Sequence, residues 1–240
     1  MNIIIMLLFA LSPILSQSAA LQENDGTNRI TDIDGNIYKT VKIGNQIWMA
    51  ENLKASHYMN GDSIYLELRN DQWSNLKTGA FCYYDNDPEN IENFGYLYNW
   101  YVVSDERQVC PENWHIPTEM EFEELEGYLG MDAIDIQKFG WRGNDQGGKL
   151  KDENTFLWDP PNVGATNESG FSAIPGGFRR RASGAYEGIN DGCYIWSSTD
   201  YIFDEVSHRV LSYFTSNIYH SGIHKSNGMS IRCIQDKPNE

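Results

Sequence analysis

The sequence predicts an α+β fold in which two helices pack on small antiparallel sheets beside a long loop region. Strand-and-turn patterns occur towards both ends of the chain, and a strongly capped helix lies near the middle. Residues 140–192 are dense in glycine, asparagine and proline and show few regular periods, which is typical of ordered loops. Together these three observations indicate the α+β class.

Antiparallel strands are predicted first in the stretch RITDIDGNIYKTVKIGNQIWMAENLK. Turn-forming residues at 34–36 separate two runs, and apolar and polar side chains alternate over residues 37–43. Gly44 and Asn45 give a second turn signal before QIWMAENL. An aromatic-rich strand follows in GAFCYYDN, and three more are predicted from CYIWSST, HRVLSYF and GMSIRCI.

Two helices are predicted. In HIPTEMEFEELEGYLG, Thr118 has the character of an N-cap, and Glu121 three residues later completes a capping box. Three apolar residues at helical spacing would face the core: Phe122, Leu125 and Leu129. In NFGYLYNWYVVSD the i, i+3, i+4 spacing of Tyr98, Tyr101 and Val102 favours a short buried helix.

The N-terminal end has the composition of a secretory signal peptide. Residues 3–15 form an apolar run too short to span a bilayer comfortably, and Ser18 and Ala20 fit the small-residue rule for cleavage before Leu21. The predicted organisation is a signal peptide over 1–20, a linker over 21–31, a single domain over 32–236 and a tail over 237–240. An uncleaved N-terminal anchor is the alternative. The mature protein is expected to be secreted, periplasmic or held at the cell surface, with no stable membrane span.

The charge of the chain excludes two classes of partner. There are 18 Lys and Arg residues against 34 Asp and Glu, a formal net charge of −16. Nucleic acid and anionic membrane surfaces repel such an acidic protein. Residues 179–181 are a local run of three arginines, which we interpret as a solvated loop rather than an anion site.

Four cysteines follow the predicted signal peptide: Cys82, Cys110, Cys193 and Cys233. An even number in an oxidising compartment predicts two disulfides, with three connectivities open. None of the spacings is CxxC, which argues against a structural zinc site.

Several segments in order resemble one family of secreted bacterial proteins. They are DIDGNIYKTVKIGNQIWMAENLK, FGYLYNWYVV, CPENWHIPTEMEFEELEGYLG, GGKLK, NVGATNESGFSAIPGGFR, WSST and MSIRC. Over residues 32–236 the chain resembles the Fibrobacter succinogenes major paralogous domain family. The resemblance implies a C-type-lectin-like fold, distantly similar to the formylglycine-generating enzymes. It also implies a Cys110–Cys233 disulfide, which leaves Cys82 and Cys193 as the second pair.

No catalytic residue or metal ligand is predicted. Cys193 and Cys233 are the candidates for the cysteine pair of formylglycine-generating enzymes, but secreted cysteines usually form disulfides. The spacing of His220 and His224 would suit a metal on a helix, whereas this segment reads as a loop. Acidic residues crowd residues 84–93 without the glycine of a calcium-binding loop, so calcium is an alternative and no cofactor is predicted.

The stretch from residue 201 to residue 221 combines large aromatic residues with Ser, Asn and His, a composition shared with antibody binding loops. Some members of the resembled family are similar to variable proteins that display ligand-contacting side chains on C-terminal strands and loops. The predicted ligand contacts are Tyr201, Phe203, Tyr213, Asn217, Tyr219 and His220. We expect a secreted, non-catalytic module that binds an extracellular protein or glycan. A thiol- or metal-dependent oxidase and a structural cell-surface domain are the alternatives.

Overall fold

Two β-sheets form the framework of the computed structural model, which describes residues 28–153 and 156–237. Strands account for 33% of the described residues and helices for 17%. The described strands are β1 (Arg29–Thr31), β2 (Ile37–Ile43), β3 (Gln46–Met49), β4 (Tyr65–Leu66), β5 (Ala80–Cys82), β6 (Leu97–Asn99), β7 (Trp114–His115), β8 (Gly140–Arg142), β9 (Gly176–Arg179), β10 (Tyr186–Ile189), β11 (Gly192–Ile202), β12 (Glu205–Ser212), β13 (Ile218–His224), β14 (Gly228–Met229) and β15 (Ile234–Gln235).

The helices are short, with one exception. They are α1 (Asn70–Trp73), α2 (Asn90–Phe94), α3 (Trp100–Val103), α4 (Glu119–Tyr128), α5 (Ala133–Ile136) and α6 (Gln146–Leu150). Helix α4 has 10 residues, and each of the other described α-helices has four or five. Among the described residues, none of these helices is long and apolar enough to cross a bilayer.

The larger sheet has ten strands, in the order β4-β5-β6-β14-β9-β11-β12-β13-β8, with β10 paired to β9. The smaller sheet has the order β1-β2-β3-β15-β7. Strand β15 comes from the C-terminal end and lies between β3 and β7, so the end of the chain completes the sheet begun by its first strands.

The predicted fold class is wrong. The structure is mostly β, and it does not show the α+β, C-type-lectin-like arrangement of two helices on small antiparallel sheets. The error arose where loop-type residues take strand conformation. The segment 218–224, which is rich in Ser, His and Gly, is strand β13, and the predicted loop region contains β8, β9 and β10. Pairing with neighbouring strands, rather than intrinsic propensity, stabilises these segments.

Local signals predicted other elements correctly. Strands β1 and β2 form an antiparallel pair about the turn at 34–36. The capping box of α4 is confirmed, because the Glu121 amide donates to Thr118 Oγ1 at 3.3 Å and the Thr118 amide donates to Glu121 Oε2 at 2.8 Å. The helix predicted around Tyr98 is only partly present, since β6 includes Tyr98 and α3 begins at Trp100.

Two apolar cores lie on opposite sides of β11. The side chain of Ile195 packs with Phe122 and Leu125 of α4, whereas Trp196, the next residue, packs with Tyr98 and Met229. Successive side chains of a strand point to opposite faces, so β11 is buried on both sides. The predicted stripe of α4 faces the first of these cores, as expected.

One of the two predicted disulfides is present. Cys110 and Cys233 are bonded, whereas Cys82 and Cys193 are free, and the predicted Cys82–Cys193 bond is therefore wrong. The two free thiols lie in different clusters of buried residues, Cys82 on β5 and Cys193 on β11. Burial raises the pKa of each thiol to about 11, so both are protonated at neutral pH.

The arginine run is not a uniform solvated loop. Arg179 is fully buried, with its guanidinium 4.5 Å from the ring centre of Trp73 and 4.8 Å from that of Tyr186. Its Nε donates to the carbonyl of Gly184 at 2.9 Å. Arg180 is exposed and pairs with Glu187. The first arginine is therefore part of the interior.

The described residues cover the predicted domain except for residues 154 and 155, whereas the predicted signal peptide, residues 1–20, lies outside them. The last residues of the predicted linker, Arg29–Thr31, form β1. Lys237, the first residue of the predicted tail, makes an ion pair with Glu124 of α4 at 3.0 Å.

Candidate recognition surface

Strands β12, β13 and β8 form one edge of the larger sheet and bring distant aromatic residues together. Tyr219 of β13 lies opposite Val210 of β12 and Trp141 of β8. The next residue, His220, lies opposite Arg209 and Gly140. Because side chains alternate along a strand, Tyr219 and His220 point to opposite faces of the sheet. We call this region the aromatic edge.

On the face of Tyr219, aromatic rings form a partly exposed cluster. The Trp141 ring centre is 5.2 Å from that of Tyr219 and 5.2 Å from that of Phe214, both in edge-on geometry. Tyr213 contacts Phe214 at 5.7 Å. Trp141 is 41% exposed and Phe214 is 52% exposed, so much of this cluster is open to a partner.

On the face of His220, a second aromatic group lies at the same edge. The Phe139 ring centre is 5.0 Å from that of His220 and 5.4 Å from that of Tyr201. Phe139 is exposed, whereas His220 is buried beneath it. Phe203 lies at the tip of the β11–β12 hairpin with a φ of 56°, and its side chain is 97% exposed.

A buried charged layer supports this second group. Arg209 Nε donates to Glu126 Oε1 at 2.6 Å and Arg209 Nη2 donates to Glu119 Oε1 at 2.5 Å. Arg142 Nη2 donates to Glu126 Oε2 at 2.5 Å, so Glu126 bridges two guanidinium groups. His220 Nε2 lies 3.2 Å from Glu119 Oε1. Strands β8, β12 and β13 are thereby tied to helix α4.

The charge states in this layer are set by burial and pairing. Burial alone would raise the pKa of Glu119. The interactions of its carboxylate with His220 and with the positively charged Arg209 outweigh burial and lower that pKa strongly. Burial lowers the pKa of His208 to about 4, so this imidazole is neutral at neutral pH. The carboxylate of Glu119 is thus ionised and paired with Arg209, so the charged layer is a fixed part of the scaffold.

The sequence of this domain matches a known family over most of its length. The family model described as Fibrobacter succinogenes major domain matches residues 41–235. The chain belongs to the Fibrobacter succinogenes major domain family. No curated protein and no solved structure matches the chain. The family predicted from sequence motifs is therefore confirmed.

In this Fibrobacter succinogenes major domain, the six predicted ligand contacts lie in several different places. Tyr219 lies in the exposed cluster around Trp141, and Tyr213 borders it through Phe214. The side chain of Tyr201 lies beside Phe139 on the other face. Phe203 projects from the hairpin tip.

The two remaining predicted contacts have structural partners. The Asn217 Nδ2 donates to the carbonyl of Gly143 at 2.5 Å, which ties the loop after β12 to the residue after β8. His220 is only 6% exposed and is packed between Phe139 and Glu119. The expectation that Tyr219 and His220 lie in a loop is wrong, since both belong to β13.

Sequence reasoning missed Phe139 and Trp141, which contribute two of the exposed rings. The local signal was weak, because Phe139 precedes β8 and only Trp141 belongs to the strand, so the two rings lie on different faces. The surrounding glycines and asparagines are typical of a loop. Phe139 and Trp141 lie near β13 because β8 pairs with β13, and no local sequence pattern predicts this pairing.

The predicted alternative sites have few features of catalytic or metal centres. Within the described residues, no group of three or more His, Cys, Asp or Glu side chains is arranged to hold a metal ion. Asp85, Asp87 and Glu89, from the crowded acidic stretch, are exposed in a 3-10 turn and the residues after it. Cys233 is bonded to Cys110 in a disulfide, and burial keeps Cys193 protonated.

Proposed function

We propose that this domain is a secreted, non-catalytic recognition module that binds a protein partner through the aromatic edge. One observation carries the proposal. Of the eight exposed aromatic side chains in the described residues, five lie at this edge: Phe139, Trp141, Tyr201, Phe203 and Phe214. Concentrated exposed apolar surface is typical of protein interaction sites, and aromatic residues are enriched in their centres.

The backbone at the edge also suits a protein partner. Strand β8 pairs with β13 only as far as His220, although β13 continues to His224. In the described part of the chain no strand covers the outer side of residues 221–224. An extended peptide segment can pair with such a free edge while its side chains contact neighbouring rings.

The charge around the edge indicates the chemistry of that partner. Asp200, Asp204 and Glu205 lie on or beside the β11–β12 hairpin and are exposed, and the whole chain carries a net charge of −16. A partner segment with apolar and basic residues would complement both the rings and the acidic rim. The exposed rings, the free strand edge and the acidic rim together favour a protein over a glycan at this edge.

The test is selection of peptides from a random displayed library on the immobilised mature domain, followed by binding measurements with variants. We expect enriched peptides to contain apolar and basic residues, and Trp141→Ala to weaken their binding at least about tenfold, as for a central aromatic contact. Tyr128→Ala removes an exposed tyrosine of α4 and is the matched control, which should retain full binding.

Two outcomes would contradict the proposal. The first is that selection on this domain enriches no peptide beyond those selected on an unrelated acidic protein of similar charge. The second is that Trp141→Ala binds the peptides as tightly as the wild type. Binding of a glycan that Trp141→Ala abolishes would instead assign the aromatic edge to sugar recognition.

A further inference from the structure

A second surface lies at the other end of the larger sheet, where β4 is the edge strand. An open groove of about 700 Å³ lies there between β4 and the residues that follow α3. Its main polar and aromatic lining residues are Tyr58, Tyr65, Tyr101, Lys77, Asp105 and Arg107. The volume is in the range of small-molecule binding sites.

Tyr58 and Arg107 form an ordered wall of this groove. The guanidinium of Arg107 lies 4.0 Å from the ring centre of Tyr58. Its Nε and Nη2 donate to the two carboxylate oxygens of Asp105 at 2.8 and 2.7 Å, and its Nη1 donates to Asp62 at 3.0 Å. A forked pair of this kind holds planar donors and acceptors in a fixed orientation.

The hydroxyl of Tyr58 lies beside this wall. The residue is 1% exposed, and Asp105 and Arg107 interact with its hydroxyl without completing a hydrogen bond of normal geometry. A Cβ at Gly79, which also lines the groove, would lie 2.2 Å from this oxygen, so glycine is the residue that fits there. Buried polar groups without a partner are rare and are often completed by a bound molecule.

The opposite charges beside the groove largely cancel. Lys77 and Arg107 are positive, whereas Asp62, Asp105 and Glu106 are negative, and Arg107 is already paired with two of these carboxylates. A strongly charged ligand would therefore meet charges of its own sign. Neutral ligands rich in hydroxyl groups meet no such repulsion.

We infer that this groove binds a neutral sugar unit of an oligosaccharide, separately from the protein partner of the aromatic edge. Tyrosine rings provide flat apolar surfaces for the C–H face of a pyranose and hydroxyl groups at their ends. The carboxylate of Asp105 accepts from sugar hydroxyls, and the guanidinium of Arg107 donates to them. The Tyr58 hydroxyl, beside Asp105 and Arg107, has no well-formed hydrogen bond within the described residues and supplies one more donor.

Affinity electrophoresis of the mature domain through gels that contain neutral glucan, xylan, mannan or starch tests this site. At least one polysaccharide should retard the wild type. Tyr65→Ala removes a ring that is 49% exposed, and Arg107→Lys keeps the charge but loses the forked contact with Asp105. Each variant is expected to weaken retardation at least about fivefold, which is typical of the loss of one stacked or forked contact.

Controls separate this site from the aromatic edge. Tyr128→Ala and Trp141→Ala should both be retarded like the wild type, because neither residue lines the groove. The inference fails if no gel retards the wild type, or if Tyr65→Ala and Arg107→Lys are both retarded fully. Either failure leaves the peptide-binding test of the aromatic edge unaffected.

Discussion

The two faces of the β12–β13 pair differ in chemistry although they belong to the same strands. One face carries Arg209 and His220, which are buried against the carboxylates of α4. The other carries Tyr219, whose neighbours Trp141 and Phe214 are substantially exposed. The first face is buried and held by ion pairs with α4, whereas the second leaves aromatic surface uncovered.

This difference separates the residues that hold the strands in place from those available to a partner. The ion pairs tie β8, β12 and β13 to α4, which fixes the positions of Trp141 and Tyr219 on the opposite face. Substitutions on the paired face should therefore affect stability, and substitutions on the exposed face should affect binding. The predictions below test this division.

Arg209→Met should give the largest loss of stability. It leaves Glu126 with one of its two guanidinium partners and Glu119 without its forked partner, both largely buried. Removal of one member of a buried ion pair typically costs about 3–5 kcal/mol in the free energy of unfolding. Urea denaturation measures this loss. Arg180→Met, at an exposed ion pair, is the control and should cost less than about 1 kcal/mol.

Lys151 should give an intermediate, pH-dependent effect on the loop that joins β12 to β13. Its Nζ is buried and donates to the carbonyls of Val163, Ser212 and Thr215, each at 2.9 Å. Burial lowers its pKa to about 8 from the ordinary value of 10.5. Between these two pH values the unfolded chain holds the proton that the folded chain has lost, so the contribution of Lys151 to stability rises with pH.

Denaturation of the wild type and Lys151→Met at several pH values checks this prediction. The difference in the free energy of unfolding, wild type minus variant, should increase between about pH 8 and about pH 10. A constant difference, or one that decreases, would show that Lys151 keeps an ordinary pKa in the folded protein.

Phe203→Ser and Phe214→Ala should have the smallest effects on stability, because both side chains are exposed. Surface substitutions of this kind usually change the free energy of unfolding by less than about 0.5 kcal/mol. Thermal denaturation monitored by circular dichroism provides the measurement. A loss approaching that of Arg209→Met would remove the distinction between the two faces.

Sequence alone predicted the elements whose signals are local. The Thr118–Glu121 capping box and the turn at 34–36 depend on residues within a few positions of one another, and both are present. Strand β13 was missed because its Ser, Gly and His residues have weak strand preference and become a strand by pairing with β12 and β8. Its identification requires long-range pairing.

The candidate site was only partly predicted, because its geometry also depends on long-range strand pairing. Aromatic composition singled out Tyr201, Phe203 and Tyr219, which lie at the aromatic edge. It could not show that His220 is buried against Glu119, or that Trp141 contacts Tyr219. Both facts follow from the register of β13 between its neighbours, in which a shift of one residue exchanges the two faces.

Amide hydrogen exchange of the mature domain, with and without a peptide selected on it, tests the central claim most directly. We predict that the peptide increases protection of β13, especially at residues 221–224, and of β8, while residues around Tyr58 and Tyr101 stay unchanged. Increased protection confined to the β4 groove or to other surfaces, with β8 and β13 unaltered, would contradict recognition through the aromatic edge.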